Sequence, residues 1–194
     1  MQNVNYQKQI KRLNEELTSV KEQLEALKHE NERLKKLCDT DELTGLYNWR
    51  CFNKKLKHEV ARNKRQGHSM CLMFFDVDGL KSFNDTYGHS GGNDVLKAIA
   101  ESIRQSIRNE VDSAYRFGGD EFAVILPEVQ TDKAFDIAER IVKRLSEMCV
   151  DDSLSFGIAG LEPDMDDENL LKCADEAMYK AKGDVDNKVC VYGD

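Results

Sequence analysis

The chain has 194 residues, 40% of them hydrophobic and only 2 of them proline, enough for one core of ordinary size and little more. Its net charge of -8 argues against a nucleic-acid polymer as partner, because an acidic surface repels phosphates except at a locally basic or metal-loaded site. No apolar run approaches membrane-spanning length and the opening MQNVNYQKQI is no signal peptide, so a cytoplasmic protein that makes no use of a membrane is expected.

Residues 1–38 read as one helix with a narrow apolar seam. Ile10, Leu13, Leu17, Val20, Leu24, Leu27, Asn31 and Leu34 alternate three and four apart, with no glycine or proline among them. Ile10, Leu17, Leu24 and Asn31 take the a positions of a heptad, and Leu13, Val20, Leu27 and Leu34 take d. A single asparagine at a favours a parallel, in-register homodimer. The flanking charges agree, Glu16 reaching Lys21 and Glu30 reaching Lys35 across a parallel pair. A stripe that stays narrow, instead of widening with the 3.6-residue period, separates this from an amphipathic helix lying on a domain.

Residues 39–194 form the second predicted domain. In chain order, 48–66 read as a basic helix and SMCLMFFDV (69–77) as a buried strand. A helix follows Gly92 to about Arg108, and SAYRF and EFAVIL make a hairpin about Gly118-Gly119. TDKAFDIAERIVKRLSEM is helical with Thr131 as its cap; SLSFGIAGL reads as strand, 168–182 as helix and KVCVY as a last strand. This order predicts an α+β fold, an antiparallel-containing sheet with helices on one or both faces. The six cysteines, Cys38, Cys51, Cys71, Cys149, Cys173 and Cys190, form no CxxC pair and read as reduced thiols, several of them buried.

Chemistry concentrates at strand ends. The 69–77 strand is apolar until Asp76 and Asp78, and a carboxylate beside LMFF is costly to bury unless a cation or donors compensate it. The hairpin turn carries Asp120 and Glu121. If the hairpin lies beside the first strand, Asp76 and Asp120 converge, and carboxylates so gathered suit a hard cation such as Mg²⁺ with positions left open for phosphate. Gly79 and Lys81 follow directly, so backbone N–H groups and an ammonium are placed to cradle a triphosphate. The amide of Asn84 offers a donor and an acceptor to a base edge. Together these describe a nucleotide site.

The segments DELTGLYNWR, FDVDGLKSFNDTYGHSGGN, RFGGDEF, SLSFGIA and ADEAMYKAK resemble, in order and spacing, the GGDEF domain of diguanylate cyclases, from about Asp39 to the C-terminus. The resemblance implies a palm-like nucleotidyl-cyclase fold with a central, mostly antiparallel sheet. It also implies the joining of two GTP into cyclic di-GMP with release of pyrophosphate. Carried over, Asp76, the Val77 carbonyl and Asp120 would hold Mg²⁺ or Mn²⁺. Glu121 would be a further ligand or help deprotonate the attacking 3′-hydroxyl. Lys81 and Lys182 would neutralise the triphosphate beside Gly79 and Leu80, Asn84 would read guanine, and Gly118 and Gly119 would let the turn approach the nucleotide. One domain would hold one GTP, so the coiled coil would bring two together.

Three positions depart from the family pattern. Asn93 stands where an aspartate is usual; an amide accepts one guanine N–H but confronts the other, and it matches adenine as well. A weakened guanine preference, with room for ATP and mixed cyclic GMP–AMP, follows unless Asp94 takes over the contact. Asp186 replaces the arginine of AKxxGRN, leaving Lys180 or Lys188 as substitutes. NEVD, from Asn109 to Asp112, replaces the inhibitory RxxD, so product inhibition is expected to be weak, although Arg108 is adjacent. The rival reading is a degenerate module that binds GTP or a cyclic dinucleotide and signals without catalysis.

Overall fold

The structure is a computed structural model. It describes residues 2–148, 154–184 and 187–193, and in the first helix the side chains of 11–14, 16–28, 30, 31 and 39. The side chains of Ile10, Leu34, Lys35 and Cys38, and Cys149 and Asp186 entirely, lie outside the described residues.

The chain divides into two units, Met1–Asp39 and Thr40–Asp194. The first is helix α1 (Gln2–Asp39). Leu13, Leu17, Val20, Leu24 and Leu27 are between 50% and 68% exposed along it. Among its described charged side chains, Arg12 pairs with Glu16 at 2.9 Å and Lys28 with Glu25 at 2.7 Å.

The second unit runs β1 (Tyr47–Asn48), α2 (Trp49–Gln66), β2 (Met70–Val77), α3 (Leu80–Ser106), β3 (Ser113–Gly118), β4 (Glu121–Pro127), α4 (Thr131–Glu147), β5 (Leu154–Gly160), α5 (Asp167–Gly183) and β6 (Val189–Val191). The six strands form one sheet in the order β1-β3-β4-β2-β5-β6. β2 is antiparallel to both neighbours and β3 is antiparallel to β4, while the edge pairs β1–β3 and β5–β6 are parallel. The α+β class and mostly antiparallel sheet are as expected. The parallel edges were not legible, and β1, at two residues, is too short for any periodicity to announce it.

Every residue of β2 is buried. A strand covered on both faces loses the usual apolar–polar alternation and reads as a continuous hydrophobic run. Met73, Phe75 and Val77 face a core shared with Ile99 and Ile103 of α3 and Ala138 and Ile141 of α4. Met70, Leu72 and Phe74 face the other way, against Phe52 and Leu56 of α2 and Ala174 and Met178 of α5. Successive side chains of a strand alternate between faces, so Asp76 follows Phe74 to the α2–α5 side.

Two expectations are corrected. α3 begins at Leu80, well before Gly92, and is broken within by Gly88 at φ 78°, ψ 162°. The expected start followed the last glycine of YGHSGG, yet the segment before Gly88 is already helical, with Phe83 and Tyr87 one turn apart and their rings 4.6 Å between centroids. Thr131 is the first residue of α4 and does not cap it; Gln130 holds the cap position without a side-chain bond, and its carbonyl accepts from Ala134 N at 3.0 Å. The other described helices have side-chain caps where polar residues precede them, Asn48 for α2 and Asp166 for α5. Cys71 and Cys173 are buried thiols, and Cys51 and Cys190 are half-buried.

Candidate active site

The register of the sheet brings the predicted carboxylates together. Asp76 pairs with Glu121 of β4 on one side and with Ser155 of β5 on the other. Cross-strand partners share a face, so Glu121, Asp76 and Ser155 form a row across the end of the sheet on the α2–α5 side. The turn is fastened to the same level, since Val77 N donates to the Asp120 carbonyl at 3.2 Å. Asp76 is 7% exposed.

Above this row stands the last turn of α5. Gly157 of β5 explains how the helix comes so close: a Cβ there would lie 2.0 Å from the Ala174 carbonyl oxygen and 2.2 Å from Met178 N. Ala174, Met178 and Lys182 are successive i+4 positions, hence on one face of α5. The face that rests on Gly157 therefore ends in Lys182, whose ammonium is 3.0 Å from Asp76 Oδ1. Lys182, expected to meet phosphate, holds a carboxylate here.

Charge in the cluster is unbalanced. Burial raises the Asp76 carboxyl above its ordinary range; the Lys182 bond opposes this, and Asp120 and Asp78 add to it. Burial also raises Glu121, helped by Asp76, Asp120 and Asp175 and opposed by Lys182. Among the described residues no three ligating side chains are already drawn together around one point. A carboxylate set that outweighs its lysines fits a hard divalent cation, which oxygens of Asp76, Asp120 and the Val77 carbonyl could hold with Glu121 adjacent.

The hairpin tip is shaped for approach. Gly119 has φ +48° and a Cβ there would meet nothing within 4 Å; at Gly118 it would meet only Glu121 Oε2, at 4.0 Å. The turn is held from behind by Arg116, which donates to the Gly119 carbonyl at 3.0 and 2.6 Å and to the Asp41 carboxylate at 3.2 and 3.3 Å. Burial alone would raise Asp41, but bonds from the Thr44 hydroxyl and amide and from Arg116 outweigh it and hold the carboxyl below its usual range. Neither Asp41 nor Arg116 was foreseen, because partners 75 residues apart leave no local pattern.

On the other side, Gly79 occupies the cap position of α3 with φ 76° and no side-chain capping bond, so the first N–H groups of the helix, at Leu80 and Lys81, are not capped by a side chain. Lys81 is exposed in that turn. One turn on, Asn84 Oδ1 is buried without a hydrogen-bond partner. It rests against Gly92, where a Cβ would lie 2.0 Å from that oxygen. A buried acceptor without a donor carries the desolvation cost of that group, which marks Asn84 as a residue the fold alone does not satisfy. Asn93 is exposed next to it, and Asp94 is turned to Lys97 at 3.1 Å. Lys180 is exposed on α5, whereas Lys188 is 3.2 Å from Asp78, whose carboxylate also accepts from Ser155 Oγ at 2.8 and 2.9 Å. Sequence reasoning named Asp78 and Lys188 separately, but neither their pairing nor the part of Ser155 was foreseen.

Arg108 is committed within the fold. Its guanidinium donates to Asp112 at 2.6 to 3.2 Å and to the Pro127 carbonyl at 2.7 Å. It does not stand free to replace the arginine absent from NEVD.

A family model described as diguanylate cyclase, GGDEF domain, matches residues 38–188. The diguanylate cyclase DosC of Escherichia coli is 35% identical over 157 residues, covering 77% of this chain and 34% of that protein. The diguanylate cyclase DgcS of Shewanella oneidensis is 39% identical over 146 residues, covering 73% and 49%. The chain thus spans between a third and a half of the length of these relatives. The crystal structure of the coiled coil and GGDEF domain of DgcB from Caulobacter crescentus, in complex with c-di-GMP, superposes with a TM-score of 0.81 at 27% identity, covering 92% of this chain and 98% of that one.

Proposed function

Since the chain belongs to the GGDEF family of diguanylate cyclase domains, we propose that it condenses two GTP into cyclic di-GMP and releases two pyrophosphates. The observation that carries this reading is the row of Glu121 and Asp76 at the sheet end, with Asp120 fastened beside it and more carboxylate charge than Lys182 offsets.

In this reading Asp76, the Val77 carbonyl and Asp120 hold Mg²⁺ or Mn²⁺, with Glu121 as a further ligand or as acceptor of the 3′-hydroxyl proton. The bound ion lowers the cost of the attacking 3′-alkoxide and of the departing pyrophosphate. The turn at Gly79 and Leu80, whose helix-opening N–H groups at Leu80 and Lys81 no side chain caps, takes the triphosphate together with the ammonium groups of Lys81 and Lys182. Gly118 and Gly119 let the turn close on the nucleotide without a Cβ in the way. Asn84 and Asn93 read the base. Gly92→Ala would push Asn84 out of its place; the expected result is a GTP affinity lower by about tenfold with the melting temperature little changed, measured by calorimetry and thermal melting.

One domain holds one GTP, and the 3′-hydroxyl of each nucleotide must meet the α-phosphate of the other. Helix 1–38, pairing as a parallel coiled coil through its heptads, brings two domains of residues 39–194 to high effective concentration. Among the described residues no helix is long and apolar enough to cross a membrane, and the reaction is assigned to the cytoplasm, where GTP is made.

Asn93 favours a second reading of the substrate, in which ATP is admitted and mixed cyclic GMP–AMP forms as well. Product analysis by mass with Mg²⁺ and GTP, ATP or both decides these points. Pyrophosphate and cyclic di-GMP from GTP support cyclisation. Nucleotide binding without pyrophosphate would mean a signalling module that binds but does not react, and cyclic di-GMP alone at equal GTP and ATP removes the relaxed base choice.

A further inference from the structure

We propose that Lys188 is a second triphosphate-binding ammonium of this site, parked on Asp78 until nucleotide arrives; the proposal rests on the nucleotide-site reading above. Its backbone position is fixed by the sheet. Val189 pairs with Phe156 in the parallel β5–β6 ladder, and the Lys188 carbonyl accepts from Phe156 N at 2.7 Å. Lys188 is thereby set beside Ser155, which itself pairs with Asp76. The row across the sheet end continues from Glu121 through Asp76 and Ser155 to this lysine.

Its side chain is directed to the phosphate-facing end of that row. The ammonium is 3.2 Å from Asp78 Oδ2, and Asp78 immediately precedes Gly79, the left-handed residue that opens the uncapped start of α3. A cation held on Asp78 therefore borders the backbone N–H groups that would receive phosphate oxygens. A triphosphate also carries more negative charge than Lys182 neutralises, and Lys182 already serves Asp76.

The Asp78–Lys188 pair is built to come apart at low cost. Its side chains are 24% and 32% exposed, so water already screens the attraction. Asp78 accepts from Ser155 Oγ at 2.9 Å on one oxygen and 2.8 Å on the other. The carboxylate thus keeps a buried hydroxyl donor when the lysine leaves, and its partial exposure lets water solvate the charge. The other candidate, Lys180, lies two residues before Lys182 on α5, about 200° around the helix, and is exposed on the far side from Asp76.

The test compares binding of a GTP analogue with a non-hydrolysable α–β bridge, and of GMP, to the full chain with Mg²⁺. The variants are Lys188→Met, Lys188→Arg, Lys182→Met and Lys180→Met. Lys188→Met is expected to weaken the analogue by about tenfold, to raise the KM for GTP by a similar factor, and to leave kcat and GMP affinity nearly unchanged. Lys188→Arg should restore most of the affinity, and Lys180→Met should match the parent. Parental analogue affinity in Lys188→Met, alongside a loss in Lys182→Met, overturns the proposal and leaves Lys188 as a structural partner of Asp78. Equal loss of GMP and analogue in Lys188→Met also overturns it, by placing the defect in the fold. If the parent itself binds no analogue, the nucleotide-site reading falls, and this inference with it.

Discussion

Asp76→Asn is expected to lower cyclic di-GMP formation by a factor on the order of a thousand while the protein stays folded. The substitution keeps the shape of the side chain and removes the charge that would hold the reacting ion. Stability should not suffer, because the native environment disfavours that charge: burial raises the Asp76 carboxyl, with Asp120 and Asp78 adding to the effect against Lys182. The folded state therefore binds this proton more tightly than the unfolded chain does. The stability associated with the group is full below the ordinary carboxylate range, and it is lost as pH rises from there through the raised value. An asparagine does not titrate, so that loss is absent from the variant. Lys182, left without its carboxylate, is 37% exposed and stays hydrated. Pyrophosphate release and melting curves between acid and neutral pH, in the absence of divalent ions, check both halves. Turnover within tenfold of the parent would show that Asp76 does not carry the ion.

Gly157→Ala is expected to have the largest effect of any small substitution on stability, and to damage the site as well. The new methyl would lie 2.0 Å from the Ala174 carbonyl oxygen, 2.2 Å from Met178 N and 2.9 Å from Met178 Cα. All three are backbone atoms, so no rotamer relieves the contact and α5 must lift from β5. Overpacking of this kind costs about 1–3 kcal/mol or more. Because Lys182 ends the helix face that rests on Gly157, the lift also draws its ammonium from Asp76. A melting temperature several degrees lower, joined to a raised KM for GTP, is the expected pair of results. Gly183→Ala, where a methyl would meet nothing within 4 Å, is the control. Parental melting and KM in Gly157→Ala would mean that the helix has room to spare.

What the sequence disclosed was what is local. The helix of residues 2–39, the β2 run, the Gly-Gly hairpin and the helices from Thr131 and Asp167 all follow from spacing within one element. Asp76 and Asp120 were legible because charge at the end of an apolar strand or at a turn needs a reason. The start of α3 was hidden by glycines that break a helix in one place and serve close packing in another, as Gly92 does beneath Asn84. Pairings between distant segments stayed invisible: Arg116 with Asp41, Lys182 with Asp76, and Lys188 with Asp78. Each depends on sheet order, and a sheet built as β1-β3-β4-β2-β5-β6 gives no sign of that order in the chain. The departures at Asn93 and NEVD were legible as letters only. The structure adds that Arg108 is tied to Asp112 and that Asp94 is turned towards Lys97.

The central position of β2 has a consequence for how the site behaves on warming. Its amides are expected to exchange with solvent only on global opening, since both neighbouring strands and both cores must be released first. Asp76 is thus anchored on the least yielding part of the protein. Lys182 in the last turn of α5 and Lys188 ahead of the three-residue β6 sit where local fraying comes first. If these residues hold nucleotide and ion as proposed, heat would loosen the grip on the anion before the anchorage of the cation, and affinity for the substrate would fade while the fold is still intact.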